Sequence, residues 1–411
     1  MGHMKGNDTM RVTSWSYYVG QGTANLIQLA YSEGVINILI DCGSMGKAEK
    51  LPKSTAVDKI LARTGKKLDY LIISHTDLDH INLIQRLLEG GLTITEQVII
   101  GGTVRGVTAL SDVFSKANQK KVTSVFKKLL ETLAWQGICG EDKIDFTSTA
   151  DYANAVVRYE ENGEQFAIRL LACRSCMSVK KDTALINSNS VVAVCEYTNS
   201  SGQTANICYG GDATVETFDY MNEKMNQAER SGDRTYEKLL HNSSNVLIAP
   251  HHAALKTACS REIISAGTTL DGQMYSAKEF SHKINACCVF ASAYYRAYHW
   301  HPCYDIFDIY AQNVSQQNSE HNCAGFQMIL EKDGKPRIDY LRDYKCTSTT
   351  KNKYTSFAFA KTFKEKNLIR GGRKGVSDYS YLDAKRPEEK LYDFVCELCE
   401  EKLLTFTLQE A

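Results

Sequence analysis

Residues 74–80 read Ser74-His75-Thr76-Asp77-Leu78-Asp79-His80, directly after the apolar run Leu71-Ile72-Ile73. A short apolar run bounded by polar residues predicts a buried strand, here Tyr70–Ser74, and helical spacing resumes from Ile81 to Leu88. The stretch therefore sets four metal-capable side chains on one loop at a strand end. The chain has only ten histidines in 411 residues, and two of them lie in these seven positions. Such crowding of imidazole and carboxylate costs stability unless a cation binds it.

The flanks read as a layered α/β chain. Strands are predicted at Trp15–Val19, Asn25–Leu29 and Ile36–Ile40, the last ending in Asp41-Cys42-Gly43. A helix from about Thr55 to Thr64 precedes the central strand, and a strand Gln97–Ile100 follows it. Val122, Val125, Phe126, Leu129 and Leu133 then fall at helical spacing, which predicts a helical insertion over about 105–165 whose later part is irregular. Strands return at Phe166–Ala172, Ser190–Glu196 and Ala205–Tyr209. A polar helical stretch (Val215 to Leu240) leads to strands Asn245–Ala249 and Cys287–Ser292. Asp333-Gly334 between Phe326–Glu331 and Arg337–Leu341 is a hairpin signature. Composition shifts beyond 345: a basic segment, Lys361 to Lys374, precedes a predicted helix from Pro387 to Leu404. The expected division is a domain over 10–345 and a C-terminal extension over 346–411.

Bulk properties exclude little. Lys+Arg and Asp+Glu both number 48, so no global charge recruits nucleic acid or a membrane surface. Apolar runs fall well short of the ~20 residues a membrane helix needs, and the start carries no signal-peptide pattern. Met1-Gly2-His3-Met4 reads as a cloning scar. The expectation is a cytoplasmic chain with no membrane partner. Fourteen scattered cysteines fit reduced core thiols. Cys173 with Cys176 and Cys396 with Cys399 have CxxC spacing, and a shared structural zinc is the alternative for them.

Two later strand ends repeat the theme of the first. Ile207-Cys-Tyr-Gly-Gly-Asp212 ends a strand at a carboxylate behind two glycines, and Val246-Leu-Ile-Ala-Pro250-His251-His252 ends another at a histidine pair. Metal sites gather ligands from distant sequence, and strand ends feeding loops supply them. HxDxDH, then Asp, then His is far more specific in that order than any one of the three alone.

This order resembles the metallo-β-lactamase fold hydrolases, and within them the ComEC-like, competence-type branch, whose ligand loop has Asp where others have the second histidine. Val19-Gly-Gln-Gly-Thr-Ala24, Ile40-Asp-Cys-Gly43, Asn187-Ser-Asn-Ser190, Gly211-Asp212 and Pro250-His-His252 match the branch in sequence order, and Arg296 to His301-Pro302 matches loosely. The resemblance implies a four-layer αββα sandwich holding two divalent metal ions, zinc or manganese. His75, Asp77, Asp79, His80, Asp212 and His251 would be the ligands, with the choice between His251 and His252 open. It implies Asp79 and Asp212 as residues orienting a water, and His301, then His252, as proton donors to the leaving group. Asn187, Asn189, Ser190 and Lys256 are the expected substrate contacts. One departure matters: no histidine lies between His80 and Asp212, so one metal site is expected to be weak or to prefer a harder ion. The implied activity is a phosphodiesterase or nuclease, its partner a nucleic acid or other phosphoester, with a regulatory protein partner conceivable. The competing readings are a small-molecule phosphoester, lactone or thioester hydrolase and a degenerate binding protein.

Overall fold

The structure, a computed structural model, describes residues 9–44, 53–175, 182–254, 275–294, 323–340 and 392–410, together with 306 and 309–310. Within those spans 18, 20–21, 105–106, 108, 119, 139–142, 147–149 and 333–334 are not described. His301, Lys256, Cys176 and the basic segment 361–374 lie outside the described residues.

Strands β1 (Arg11–Ser16), β2 (Ala24–Tyr31), β3 (Gly34–Cys42), β4 (Lys67–Ile73), β5 (Thr93–Ile100) and β6 (Ile144–Asp145) build one sheet. A second sheet holds β7 (Val157–Glu161), β8 (Glu164–Ala172), β9 (Val192–Thr198), β10 (Thr204–Tyr209), β11 (Asn245–Ile248), β12 (Cys288–Tyr294), β13 (Cys323–Lys332) and β14 (Lys335–Tyr340). Strands β15 (Tyr392–Cys399) and β16 (Thr405–Glu410) join the first sheet beside β1. The orders are β16-β15-β1-β2-β3-β4-β5-β6 and β14-β13-β12-β11-β10-β9-β8-β7. Strands β3 to β6 are parallel, as are β10 to β13.

The apolar runs in β3, β4 and β5 are unbroken because both faces of those strands are covered. Alternate residues serve different cores. Ile38, Ile40, Ile72 and Ile99 face inward and pack with Ile168, Ile207, Tyr209 and Val246 of the second sheet. Leu39, Leu71, Ile73, Val98 and Ile100 face outward, under helices α1 (Lys53–Thr64), α2 (Leu78–Ile81), α3 (Ile84–Glu89), α4 (Leu110–Val113) and α5 (Ser124–Trp135). A further short helix, α6 (Asp182–Ser188), precedes α7 (Val215–Ser231) and α8 (Tyr275–Ile284), which pair through buried Phe218 and Phe280, ring centroids 5.2 Å apart, and form the fourth layer. The result is an αββα sandwich, as the resemblance implies. None of the described helices is long and apolar enough to cross a membrane.

Two local expectations differ from the structure. The stretch read as a helix from Pro387 to Leu404 is instead the hairpin β15–β16, within the described residues 392–410. Phe394, Cys396 and Leu398 alternate into the inter-sheet core, and β15 pairs with the edge of β1, whose hydrogen-bonding groups would otherwise be unmet. Cys396 and Cys399 therefore emerge on opposite faces of a strand, which does not suit a shared zinc. Further back, β7 lies inside the span read as irregular. It turns into β8 through Asn162-Gly163, both at positive φ (51° and 84°), a two-residue hairpin turn.

Candidate metal centre

The carboxyl ends of parallel strands from both sheets meet at one edge of the sandwich, where open α/β sheets place their ligands. From β3 comes Asp41, from β4 the loop 75–80, from β10 Asp212, and from β11 the turn holding His251 and His252. Small residues permit the convergence. A Cβ on Gly43 would stand 2.3 Å from the Asp79 carbonyl carbon, and one on Gly211 (φ 50°) would stand 2.5 Å from Ser190 Oγ.

His75 and His80 are both fully buried, and their Nδ1 atoms are held from behind. His80 Nδ1 lies 2.8 Å from Asp41 Oδ2, and Ser74 Oγ is within 3.1 Å of His75 Nδ1 and 3.2 Å of His80 Nδ1. Asp41 in turn accepts from Ser74 N at 2.7 Å and Ser74 Oγ at 2.6 Å. Held this way, each ring turns its Nε2 inward, the arrangement that orients metal-ligating histidines. His80 Nε2 stands 3.1 Å from Asp212 Oδ1, and His75 Nε2 stands 3.4 Å from Asp212 Oδ2. Yet His75 Nε2, His80 Nε2 and Asp212 Oδ1 are buried atoms that make no hydrogen bond. Buried polar atoms left so are rare and call for a partner.

Donor atoms converge in two overlapping groups within 4.8 Å: His75, His80 and Asp212, and Asp79, His80 and His252. Asp77 Oδ2 adds a carboxylate 3.8 Å from His75 Nε2, and His251 Nε2 lies 3.5 Å from Asp212 Oδ2. This mix of imidazole and carboxylate fits zinc or manganese. The back of the centre is closed, and its mouth is marked by Asp77, whose side chain is 45% exposed, against 4% for Asp212.

Electrostatics agree with a site built for positive charge. Burial works against the His80 imidazolium, but Asp212 and Asp41 outweigh it and hold its pKa well above the ordinary value. Burial likewise opposes the Asp212 carboxylate, and His251, His80 and His75 together hold it well below the usual range. His251 is pushed down to about 4, chiefly by burial, with Asp212 opposing and His252 assisting the fall.

All six ligand candidates from the sequence thus lie at one edge of the fold, and His252 lies there with them. Asn187 Nδ2 donates to Asp212 Oδ2 at 3.2 Å, and Ser190 Oγ accepts from the Asp212 backbone N–H at 3.0 Å. The first contact orients the carboxylate and the second fixes the backbone that carries it. Asn189 contributes its carbonyl, which accepts from Gly102 N at 2.8 Å. Sequence reasoning gave no role to Asp41 or Ser74. The signals available were the placement of Asp41 at a predicted strand end and its part in the Ile40-Asp-Cys-Gly43 match.

An αββα sandwich with histidines and aspartates at the carboxyl ends of its parallel strands is the metallo-β-lactamase fold. Residues 17–91, which include the 75–80 loop, match the metallo-beta-lactamase superfamily. Among solved structures, the chain is similar to a long form RNase Z from yeast (11% identity, TM-score 0.32), covering 72% of this chain and 39% of that one. The chain thus spans about two fifths of that RNase Z. It is also similar to a diphosphatase from the PhnP family (12% identity, TM-score 0.31, 82% of this chain and 99% of that one). A third likeness is the metallo-β-lactamase MIM-1 from Novosphingobium pentaromativorans (13% identity, TM-score 0.27, 58% and 76%). Among curated proteins no match is found.

Proposed function

We infer that the chain is a metal-dependent hydrolase of the ComEC-like branch, acting on phosphodiesters, with nucleic acid as the leading substrate class. The observation that carries this reading is the convergence of His75, Asp77, Asp79, His80, Asp212, His251 and His252 on one buried-backed pocket edge. Three aspartates beside four histidines make a mixed oxygen and nitrogen set, suited to borderline ions that also take phosphate oxygens. Divalent cations held here would supply a water nucleophile near neutral pH and offset charge on the departing oxygen.

The chain's own residues do the rest. Asp41 and Ser74 fix the His80 ring, so its Nε2 aim is set before anything binds. Asp212 is centred between His75 and His80; Asn187 holds its Oδ2 and Ser190 its backbone N–H, so the carboxylate is fixed in direction. Asp79, with its side chain 13% exposed, reaches the pocket beside His252 and is placed to orient a water. His301 is the first proposed proton donor, and His252 is the second where His251 is the ligand.

The test is hydrolysis of single- and double-stranded DNA by the full chain in Mn²⁺ and in Zn²⁺, beside aryl phosphodiesters, phosphomonoesters and lactones. Cleavage of DNA or diesters that disappears with chelator and in Asp79→Ala and Asp212→Ala is the expected result. Turnover confined to monoesters or lactones would replace the substrate class, and no turnover with any metal would defeat the reading.

A further inference from the structure

A narrow slot opens beside the mouth of the centre. Asp77, which marks that mouth 3.8 Å from His75 Nε2, also lines the slot, together with its neighbour Thr76. The inner walls are apolar: Val104 and Val107 follow β5, Val122 and Phe126 stand at the start of α5, and Ile186 comes from α6. All five are buried and belong to the apolar layer between the first sheet and its helices. The free space is about 20 Å³, room for a group the size of one water or one methyl. A packed core leaves few such gaps, and this one lies against a candidate ligand.

The slot suits an apolar group better than a water. Its threonine hydroxyls are already engaged: Thr76 Oγ1 donates to Gly102 O at 3.2 Å, Thr103 Oγ1 donates to Val107 O at 2.9 Å, and Thr123 Oγ1 accepts from Phe126 N at 3.3 Å. A buried water needs about two to four polar partners. The two charged lining residues, Asp77 and Lys121, are well exposed, so their charge stays on the solvent side. The walls are also fixed relative to the ligands. Thr76 N donates to Gly102 O at 3.3 Å, and Gly102 N donates to Asn189 O at 2.8 Å. Arg174 Nη2 donates to Thr103 Oγ1 at 3.1 Å and to Val107 O at 2.7 Å. A Cβ on Gly102 would stand 2.2 Å from that of His75, so this wall lies directly against a ligand residue.

We propose that this slot selects the substrate's substituent: it takes a small, unbranched, uncharged alkyl or methylene group joined, directly or through one oxygen, to the phosphoryl group held at the centre. Val107, Val122 and Phe126, brought by the helical insertion, set its size. This selection rests on the phosphoester activity inferred above and deepens it, because it names the group beside the reacting phosphorus. The methylene between a nucleotide's sugar and its phosphate has this size. A branched or aryl group meets buried, tethered walls instead, and overfilling a packed wall is costly.

Titration calorimetry of the full chain in Mn²⁺ tests this, with methyl-, ethyl-, tert-butyl- and phenylphosphonate as probes and each affinity taken relative to inorganic phosphate on the same variant. Methyl- and ethylphosphonate are expected to bind about 10-fold more tightly than the bulkier pair, the discrimination an apolar pocket gives. Val122→Ala should narrow that ratio by admitting the bulkier groups, and Val122→Ile should remove the preference for ethyl by filling the slot. Val104→Ala, on another wall, should repeat the first result. The valine methyl resonances of Val104, Val107 and Val122 should shift with ethylphosphonate more than with inorganic phosphate. Phosphonates bound equally well, or a preference that neither Val122 variant moves, would overturn the slot and leave the phosphoester activity standing. Binding of neither phosphate nor any phosphonate would defeat that activity and the slot with it.

Discussion

The two loops that face each other across the centre are built on opposite principles. Behind the 75–80 loop the polar framework is hydrogen-bonded: Asp41 accepts from Ser74 twice and meets His80 Nδ1, and Thr23 N donates to Asp79 O at 3.1 Å. The 250–253 turn instead tolerates strain. His251, His252 and Ala253 take φ of 45°, 51° and 59°, a left-handed run in which no residue is glycine. Such backbone costs roughly 1–2 kcal/mol per residue. One loop spends structure on holding rings still, and the other on turning two adjacent rings in different directions. Strain of this kind persists where a site requires it.

The largest effect is expected from removing the support behind the rigid loop. Asp41→Asn should weaken divalent metal binding by about 10- to 100-fold, as loss of a carboxylate behind a ligand histidine does. Competition against a chelator measures it, and an unchanged affinity would mean that His80 needs no such support. Next, Gly43→Ala pushes a methyl to 2.3 Å from the Asp79 backbone. Overpacking of this sort costs about 1–3 kcal/mol, so the denaturation midpoint should fall together with metal affinity. A loss of stability alone would show that the 79–80 backbone shifts without disturbing its ligands.

The strained loop should respond in the other direction. Ala253→Gly relieves the φ of 59° at a fully buried position. Strain relief less the added freedom of the unfolded chain leaves a gain of up to about 1 kcal/mol. A denaturant midpoint that falls would mean that packing of the Ala253 methyl outweighs the backbone term.

A surface carboxylate gives the smallest contrast with Asp212. Lys283, hydrogen-bonded to Glu229, holds the Glu229 carboxyl below its ordinary value of 4.5. A lowered folded value means stabilisation that is complete above the unfolded value and fades as pH falls through the folded one. Lys283 is buried but Glu229 is more than a third exposed, so solvent screening leaves the carboxylate's share at only about 0.5 kcal/mol. Glu229→Gln should therefore flatten the stability curve slightly below about pH 4.5 and leave it parallel to wild type above. A difference that grows between pH 5 and 8 would contradict that assignment.

Some of the chain's errors of reading come from signals that were present. Asn162-Gly163 is a hairpin dipeptide lying between residues that read as irregular, and β7 and β8 close around it. Others had no local answer. Tyr392 to Leu404 mixes helix formers with a two-residue alternation, and both readings are open until a strand edge is available to pair with it. Strand β1 provides that edge from the opposite end of the chain. Asp41 was legible as a strand-end carboxylate, but its contact with His80 spans 39 positions and depends on β3 and β4 lying parallel side by side.

By itself, the sequence determined the layered α/β class and singled out the candidate donors, because buried strands demand apolar runs and imidazoles and carboxylates in that order suit few other roles. Tertiary structure alone decided how those donors are shared: which oxygen of Asp212 meets which ring, and how His251 and His252 diverge. Such choices turn on ångström distances between separate strand ends and on the sign of φ at two residues, which spacing along the chain does not encode.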